Sequence, residues 1–235
     1  MENNESEIIN IIKELKCLEY TDSQILNDFE IKILKLKNVE LSAYFYKNIK
    51  GANLELHEKV IIDSKDLLEN YIFARDIKGA DIKAHGQVII DSEDLYYNYV
   101  FARTVKGADI KAHGQVIIDS GALDYNYEFA KNVKGADIRA HGQVIIDSGD
   151  LSYNYEFAGD IKGADIKAHG QVIINSDNIE YNEKFRNLKG ADVNAHNSAI
   201  KNIKIQQYRE SLNKRLDYMI QEKVKIKKIN LVVKE

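Results

Sequence analysis

The sequence predicts an all-α fold, an α-solenoid of two-helix repeats with helical caps at both ends. Three observations carry that prediction. First, the stretch KGADIKAHGQVIIDS, Lys78–Ser92, recurs with small changes from Lys50, Lys106, Lys134, Lys162 and Lys189. Its glycines, Gly51, Gly79, Gly107, Gly135, Gly163 and Gly190, stand 28 residues apart, and 27 at the last step. A fixed period of this length marks units that bury their apolar faces on one another. Second, Leu67, Tyr71, Ala74 and Ile77 fall at helical spacing within one unit. Third, residues that stop and start helices hold fixed places. Gly79 suits the left-handed end of one helix, and Asp81, two residues on, suits the cap of the next. That combination is a compact αα-hairpin.

The alternative is a β-solenoid. Ile138, Ala140, Gly142, Val144 and Ile146 alternate, as do Tyr125, Tyr127 and Phe129, and alternation is the strand pattern. Against it, the VII run is continuously apolar, and Asp81, Ser92 and their repeats sit where helix caps belong.

Taken in order, residues 1–38 read as an N-terminal helical cap. Ile8, Ile9, Ile11, Ile12 and Leu15 lie mostly on one helical face. Thr21 or Asp22 can cap a second helix carrying Ile25, Leu26, Phe29, Ile33 and Leu36. Residues 39–200 hold about five and a half repeats. In each, a first helix such as Asp66–Ile77, capped by Ser64 and with Lys78 in its last turn, precedes a second whose body is IKAHGQVIIDS. Residues 201–235 leave the period. Ile203, Tyr208, Leu212, Leu216, Met219, Ile220 and Val224 suggest one long amphipathic helix. The terminal VKIKKINLVVKE reads as an edge strand, a docking tail or a disordered arm.

The segments YNYEFAKNVKGADIRAHGQVIIDSGDL, Tyr125–Leu151, and IFARDIKGADIKAHGQVIIDS, Ile72–Ser92, resemble short tandem helical-hairpin repeats encoded by phages and low-GC bacteria, loosely HEAT-like. The resemblance spans roughly residues 39–200 and implies paired short helices. It carries over no catalytic residue. The chain departs from that pattern by placing His85 and its equivalents where leucine is expected. It also has Leu95, Leu123 and Leu151 where a first-turn proline is common.

Composition narrows the function classes. A net charge of −4 announces neither a nucleic-acid binder nor an acidic tail. The single cysteine, Cys17, forms no internal disulfide and fits a reducing compartment. The acidic N-terminus does not read as a signal peptide, and no apolar run is long enough for a membrane span. The expected location is the cytoplasm. Glycine-rich phosphate loops, HExxH and paired cysteines are absent, so no enzyme activity, cofactor or metal is expected.

All six histidines, His57, His85, His113, His141, His169 and His196, hold one repeat position. Packed helices lie about 8–10 Å apart, while zinc needs its nitrogens within about 2.1 Å. The histidines therefore read as a ladder packed between repeats, or bonded to the cap aspartate one turn earlier. Asn70, Asn98, Asn126, Asn154 and Asn182 form a second ladder inside the first helix. Asparagine disfavours helix interiors, so amides bonded from unit to unit, or a ligand groove, must offset the penalty. Lys78, Lys106, Lys134 and Lys162 form a row that could meet phosphates, though Asp81, Asp109, Asp137 and Asp165 occupy the same helix N-termini. Serial repetition of Ser92, His85 and Asp81 argues for structure, since a catalytic constellation is single.

The variable positions lie on one face of the first helix. Leu68, Ile72, Tyr96 and Val100 make it apolar early, and Asp124, Glu128 and Glu156 make it acidic later. This row reads either as plain solvent surface or as a recognition face. The function expected is a non-enzymatic scaffold that binds a protein partner. One specific form is a phage or mobile-element inhibitor of a host factor such as a defence nuclease, its acidic residues engaging a basic surface. The alternative is nucleic-acid binding through the lysine row and the C-terminal segment, where residues 201–235 hold ten basic and four acidic side chains.

Overall fold

The computed structural model describes residues 23–232, with Asn10 and Lys13 before them. The expected first helix, with Ile8, Ile9, Ile11, Ile12 and Leu15, lies outside the described residues, as do Cys17 and the proposed caps Thr21 and Asp22. Among the described residues there are thirteen helices and no strand, so the β-solenoid alternative is excluded.

The chain divides into two compact units, one ending at Asp137 and one starting at Ile138. The first holds α1 (Ser23–Leu36), α2 (Val39–Asn48), α3 (Leu54–Ser64), α4 (Leu67–Asp76), α5 (Ile82–Asp91), α6 (Leu95–Thr104), α7 (Ile110–Ser120) and α8 (Leu123–Asn132). The second holds α9 (Ile138–Ser148), α10 (Leu151–Asp160), α11 (Ile166–Ile174), α12 (Ile179–Phe185) and α13 (Val193–Val232). Within each unit every helix packs on its chain neighbours and on the next helix but one, the pattern of an α-solenoid of helical repeats.

Local chemistry sets the hairpin. Asp66 starts α4 by accepting the Glu69 amide at 2.9 Å, and Asp81 starts α5 by accepting the Ala84 amide at 3.0 Å. Ser64 is not the cap of α4. Its hydroxyl donates to the Ile61 carbonyl and accepts the Asp66 amide, so it closes the preceding helix instead. The stop differs as well. Helix α4 ends at Asp76, Ile77 is extended, and Lys78 falls in the turn beyond the helix. Ala80 donates to the Ile77 carbonyl across Lys78 and Gly79, with Gly79 at φ +92°. A four-residue turn with positive φ only at its third residue is type II, which calls for glycine there.

Two apolar ladders fill the interior. Phe45, Phe73, Phe101, Phe129, Phe157 and Phe185 come from the first helix of each pair and are all fully buried or nearly so. Ile61, Ile89, Ile117, Ile145 and Ile173 come from the second. The isoleucine ladder begins one period earlier than the visible repeat. Ile33 of α1 stands 28 residues before Ile61 and is also buried. Helix α1, expected as part of a cap, thus holds the place of a second helix without carrying its sequence signature. At the other end, one residue is missing between Phe185 and Leu188 relative to Phe157 and Ile161. Helix α12 accordingly stops at Phe185, after seven residues.

Residues 201–232, set apart because they leave the period, continue α13 without a break, and the basic, β-branched stretch is helical through Val232 rather than a strand. Gly107, at φ +93°, would place an added Cβ with no atom within 4 Å, so space does not limit it and backbone strain does. Gly107→Val is expected to destabilise the protein by roughly 1–3 kcal/mol, read as a lowered urea midpoint. An unchanged midpoint would contradict the turn assignment.

Candidate functional site

The asparagine and histidine ladders form one network. In the second repeat, the Asn70 side-chain amide donates to the Ile61 carbonyl at 2.9 Å and to the Asp66 carbonyl at 2.8 Å. Its oxygen lies 2.7 Å from His85 Nδ1. Two carbonyls fix the amide's orientation, because only its NH2 can donate to both. The amide oxygen is then the acceptor, so His85 Nδ1 carries the proton. One side chain thereby joins the end of α3, the start of α4 and the middle of α5. Asn98 and His113 repeat this geometry, as do Asn154 with His169 and Asn182 with His196. The histidine partner is therefore asparagine rather than the cap aspartate, and the asparagines reach backbone and imidazole rather than one another. Each imidazole also lies against the phenylalanine of its own pair. Ring centroids are 5.3 Å apart for Phe73–His85, 4.8 Å for Phe101–His113 and 5.0 Å for Phe157–His169.

The first repeat breaks the rule and shows its worth. Ser42 stands where asparagine is expected, and its hydroxyl and His57 Nδ1 are both buried without a hydrogen-bond partner. The serine is too short to span the gap. On the other imidazole nitrogen the early repeats carry a carboxylate. Glu30 Oε1 lies 3.2 Å from His57 Nε2, and Glu58 Oε1 lies 3.2 Å from His85 Nε2. The same oxygens accept the backbone amides of Asn53 and Asp81. Sequence reasoning misses these glutamates. Their signal is present, because Glu30 and Glu58 are 28 residues apart at a position that later holds glycine.

Burial disfavours the charged form of these histidines. His113 and His169 are lowered to about 4 by desolvation, against a weaker opposing pull from Asp109 and Asp165. His57, His85 and His196 are also lowered, first by burial; Glu30 and Glu58 oppose it at His57 and His85. Among the described residues no three His, Cys, Asp or Glu side chains are placed to hold a metal ion. Ser92 Oγ donates to the Ile89 carbonyl, while His85 is engaged by Asn70 and Glu58, so Ser92, His85 and Asp81 form no reactive set.

The candidate surface residues differ in burial. Leu68 and Tyr96 are 49% and 56% exposed, Ile72 is half-buried, and Asp124, Glu128 and Glu156 are exposed. Val100 is the exception. It is only 8% exposed and packs with Tyr99, Ala102, Ile117, Phe129 and Val133, so it belongs to the core and not to an outward apolar row. Helix periodicity puts it on the variable face, but a neighbouring helix covers that face there. The lysines Lys78, Lys106, Lys134 and Lys162 are exposed, yet Asp81, Asp109 and Asp165 already accept the first free amides of α5, α7 and α11.

The surface that periodicity undervalues is on α13. Ile203 is buried, but every residue from Lys204 to Gln221 is exposed. Ile205, Tyr208, Leu212, Leu216 and Met219 share one helical face, with Leu216 at 55% and Met219 at 58% exposure. The helix therefore caps the last repeat only over its first turns. Among the described residues no helix is long and apolar enough to cross a membrane.

A scan of family models, a search of curated proteins and a search of solved structures each returned no match.

Two outcomes are expected of the network. Asn98→Ala removes both amide bonds and leaves His113 Nδ1 without an acceptor. A loss of about 2–5 kcal/mol in urea denaturation is expected, since buried groups are left unpaired. The histidines also set a pH dependence. Their folded pKa lies below the ordinary 6.5, so the unfolded chain binds more protons. Stability is full above pH 6.5 and falls as pH drops toward 4. The limit is on the order of 3 kcal/mol for each of His113 and His169, and urea midpoints at about pH 7.5, 6 and 5, spanning that window, measure it.

Proposed function

We propose that this protein is a non-enzymatic scaffold that binds another protein. The observation that carries this reading is the contrast between the two sides of each helix. The buried polar side chains that repeat, asparagine and histidine, are spent on one another and on backbone carbonyls inside the stack. The residues that change from repeat to repeat, among them Leu68, Tyr96, Asp124, Glu128 and Glu156, face solvent. Buried ladders that repeat beneath exposed positions that vary are what a binding array needs, because specificity can change without disturbing the packing. The apolar row of α13 adds a second contact surface, on a helix that also carries Lys204, Arg209, Lys214 and Arg215. Large exposed apolar side chains grouped on one face are a mark of interaction sites.

Within this class, the resemblance to phage-encoded repeats leads to a phage or mobile-element inhibitor of a host factor such as a defence nuclease, acting in the cytoplasm. Acidic Asp124, Glu128 and Glu156 supply the charge that would meet a basic, nucleic-acid-binding surface.

The double variant Leu212→Glu with Met219→Glu tests the reading. Both residues are exposed, so stability is expected to stay within about 0.5 kcal/mol of the parent per change. Proteins captured by the parent from its native host are expected to be lost with the variant. Equal capture by both would remove α13 from the interface. Capture that disappears in nuclease-treated lysate, with steep salt dependence, would favour nucleic-acid binding instead.

A further inference from the structure

The carboxylates of Glu30 and Glu58 define a socket. In the second repeat it has three walls: the glutamate's own position on one second helix, the backbone amide at the start of the next, and Nε2 of that next helix's histidine. Glu58 reaches into it from α3, accepting the Asp81 amide at 2.6 Å and meeting His85 Nε2 at 3.2 Å. In the later repeats glycine replaces the glutamate, and the histidine remains. Nε2 of His113, His169 and His196 is buried without a hydrogen-bond partner, His169 being 1% exposed. Each of these nitrogens faces the glycine. A Cβ on Gly86 would lie 3.4 Å from His113 Nε2 and 3.3 Å from Phe101, on Gly142 3.5 Å from His169 Nε2 and 3.1 Å from Phe157, and on Gly170 3.3 Å from His196 Nε2 and 2.9 Å from Phe185, so each glycine also packs on the phenylalanine ring. At Gly142 a groove of about 380 Å³ opens beside them, lined by Arg139, Gln143, Phe157, Asp165 and His169.

We infer that the glycine sockets, at Gly86 with His113, Gly142 with His169 and Gly170 with His196, are binding sites for a carboxylate, the group that Glu58 supplies at the same place in an earlier repeat. The recognising elements are the start of a helix, which favours an anion, the imidazole Nε2, and at Gly142 the Arg139 side chain at the groove. The chemistry requires one proton. Nδ1 of each histidine already donates to asparagine, so a carboxylate at Nε2 binds together with a proton taken from solvent and shared between the two. The charged and titratable groups around His169 are Asp165, which caps its own helix, and Arg139 from α9. Helix α10 presents Asn154 and Phe157, while Phe185 of α12 and His196 of α13 lie against Gly170. This inference does not rest on the α13 surface, and each survives failure of the other.

The carboxylate can come from a small free acid or from an acidic side chain on a partner, and two arms separate these. Full-length protein with nitrogen-15 histidine is titrated at about pH 6, just below the ordinary histidine pKa, with sodium acetate against sodium chloride at equal ionic strength. A second titration uses an aspartate- and glutamate-rich peptide blocked at both termini. The expected result is movement of the Nε2 resonances of His113, His169 and His196 toward the protonated range. Those of His57 and His85 are expected to stay, because Glu30 and Glu58 already occupy their sockets. Response to acetate assigns a small acid, and response to the peptide assigns a partner's side chain. No response in either arm, or equal movement of all these histidines, would overturn the inference. Gly142→Glu should abolish the His169 response and leave that of His113, and a folded variant in which His169 still responds would also overturn it. A Cβ there lies 3.1 Å from Phe157. If the variant does not fold, the histidine-by-histidine comparison in the parent protein decides alone.

Discussion

The bond between an asparagine on one helix and a histidine on the next is the constraint on which the packing depends. A short helix of ten residues is marginal by itself, because its terminal amides and carbonyls lack partners within the helix. Asn98 reaches one such carbonyl, that of Ile89 at the end of α5, and adds a second bond to the Asp94 carbonyl at the start of α6, which already accepts the Asn98 backbone amide. The same side chain holds His113, which lies against Phe101. Apolar contact between Phe101 and Ile89 is strong but permits sliding, whereas three directed hydrogen bonds inside a buried core permit one register. The energetic asymmetry of buried polar groups enforces it, since each bond adds little when made and costs much when broken. A 28-residue repeat with only two short helices needs that precision more than a longer repeat does.

The start of the array supports this account. In the first repeat, Ser42 cannot reach, and it leaves two buried atoms unpaired, its own hydroxyl and His57 Nδ1. There the opposite side of the imidazole is held by Glu30, which also takes the Asn53 amide. Where the asparagine is missing, a carboxylate remains. Where the carboxylate is missing, as at Gly86 and Gly142, the asparagine remains. In the second repeat Asn70 and Glu58 lie on opposite nitrogens of His85, and the bond on the Glu58 side requires a proton shared between the carboxylate and Nε2.

Much of the fold is legible because a repeat writes its architecture several times over. The period, the turn glycine and the cap aspartate each say the same thing in every unit, and the helices lie where those residues place them. Ser64 misleads because serine at the end of one helix and at the start of the next looks the same in one dimension; only the direction of its hydroxyl bond to Ile61 distinguishes them. Helix α1 reads as a cap because Phe29 stands where histidine would, while the shared feature, buried Ile33, is one isoleucine among several. Spacing puts Val100 on the outer face, but spacing cannot tell where a neighbouring helix covers that face, and Val100 lies in one buried cluster with Phe129 and Val133 of the next pair. The glutamate sockets are the hardest to see, because Glu30 and Glu58 look like two surface acids until the imidazoles are set against them.

Serial identity carries a further consequence for function. A buried residue repeated in every unit is under the same demand everywhere, and the demand common to all buried positions is stacking. Departures from identity are therefore where binding can reside, and they occur in two places of different character. On the outside, Leu68, Tyr96, Asp124 and Glu156 differ in size and charge while exposed to solvent. On the inside, the exchange of Glu58 for Gly86 and Gly142 removes a charged group from a buried site yet leaves the imidazole that had partnered it. Loss of a buried partner is ordinarily destabilising, so the exchange persists most economically where another carboxylate can take the same place. An array built this way keeps a packed interior that still carries unsatisfied hydrogen-bonding capacity, at His113, His169 and His196.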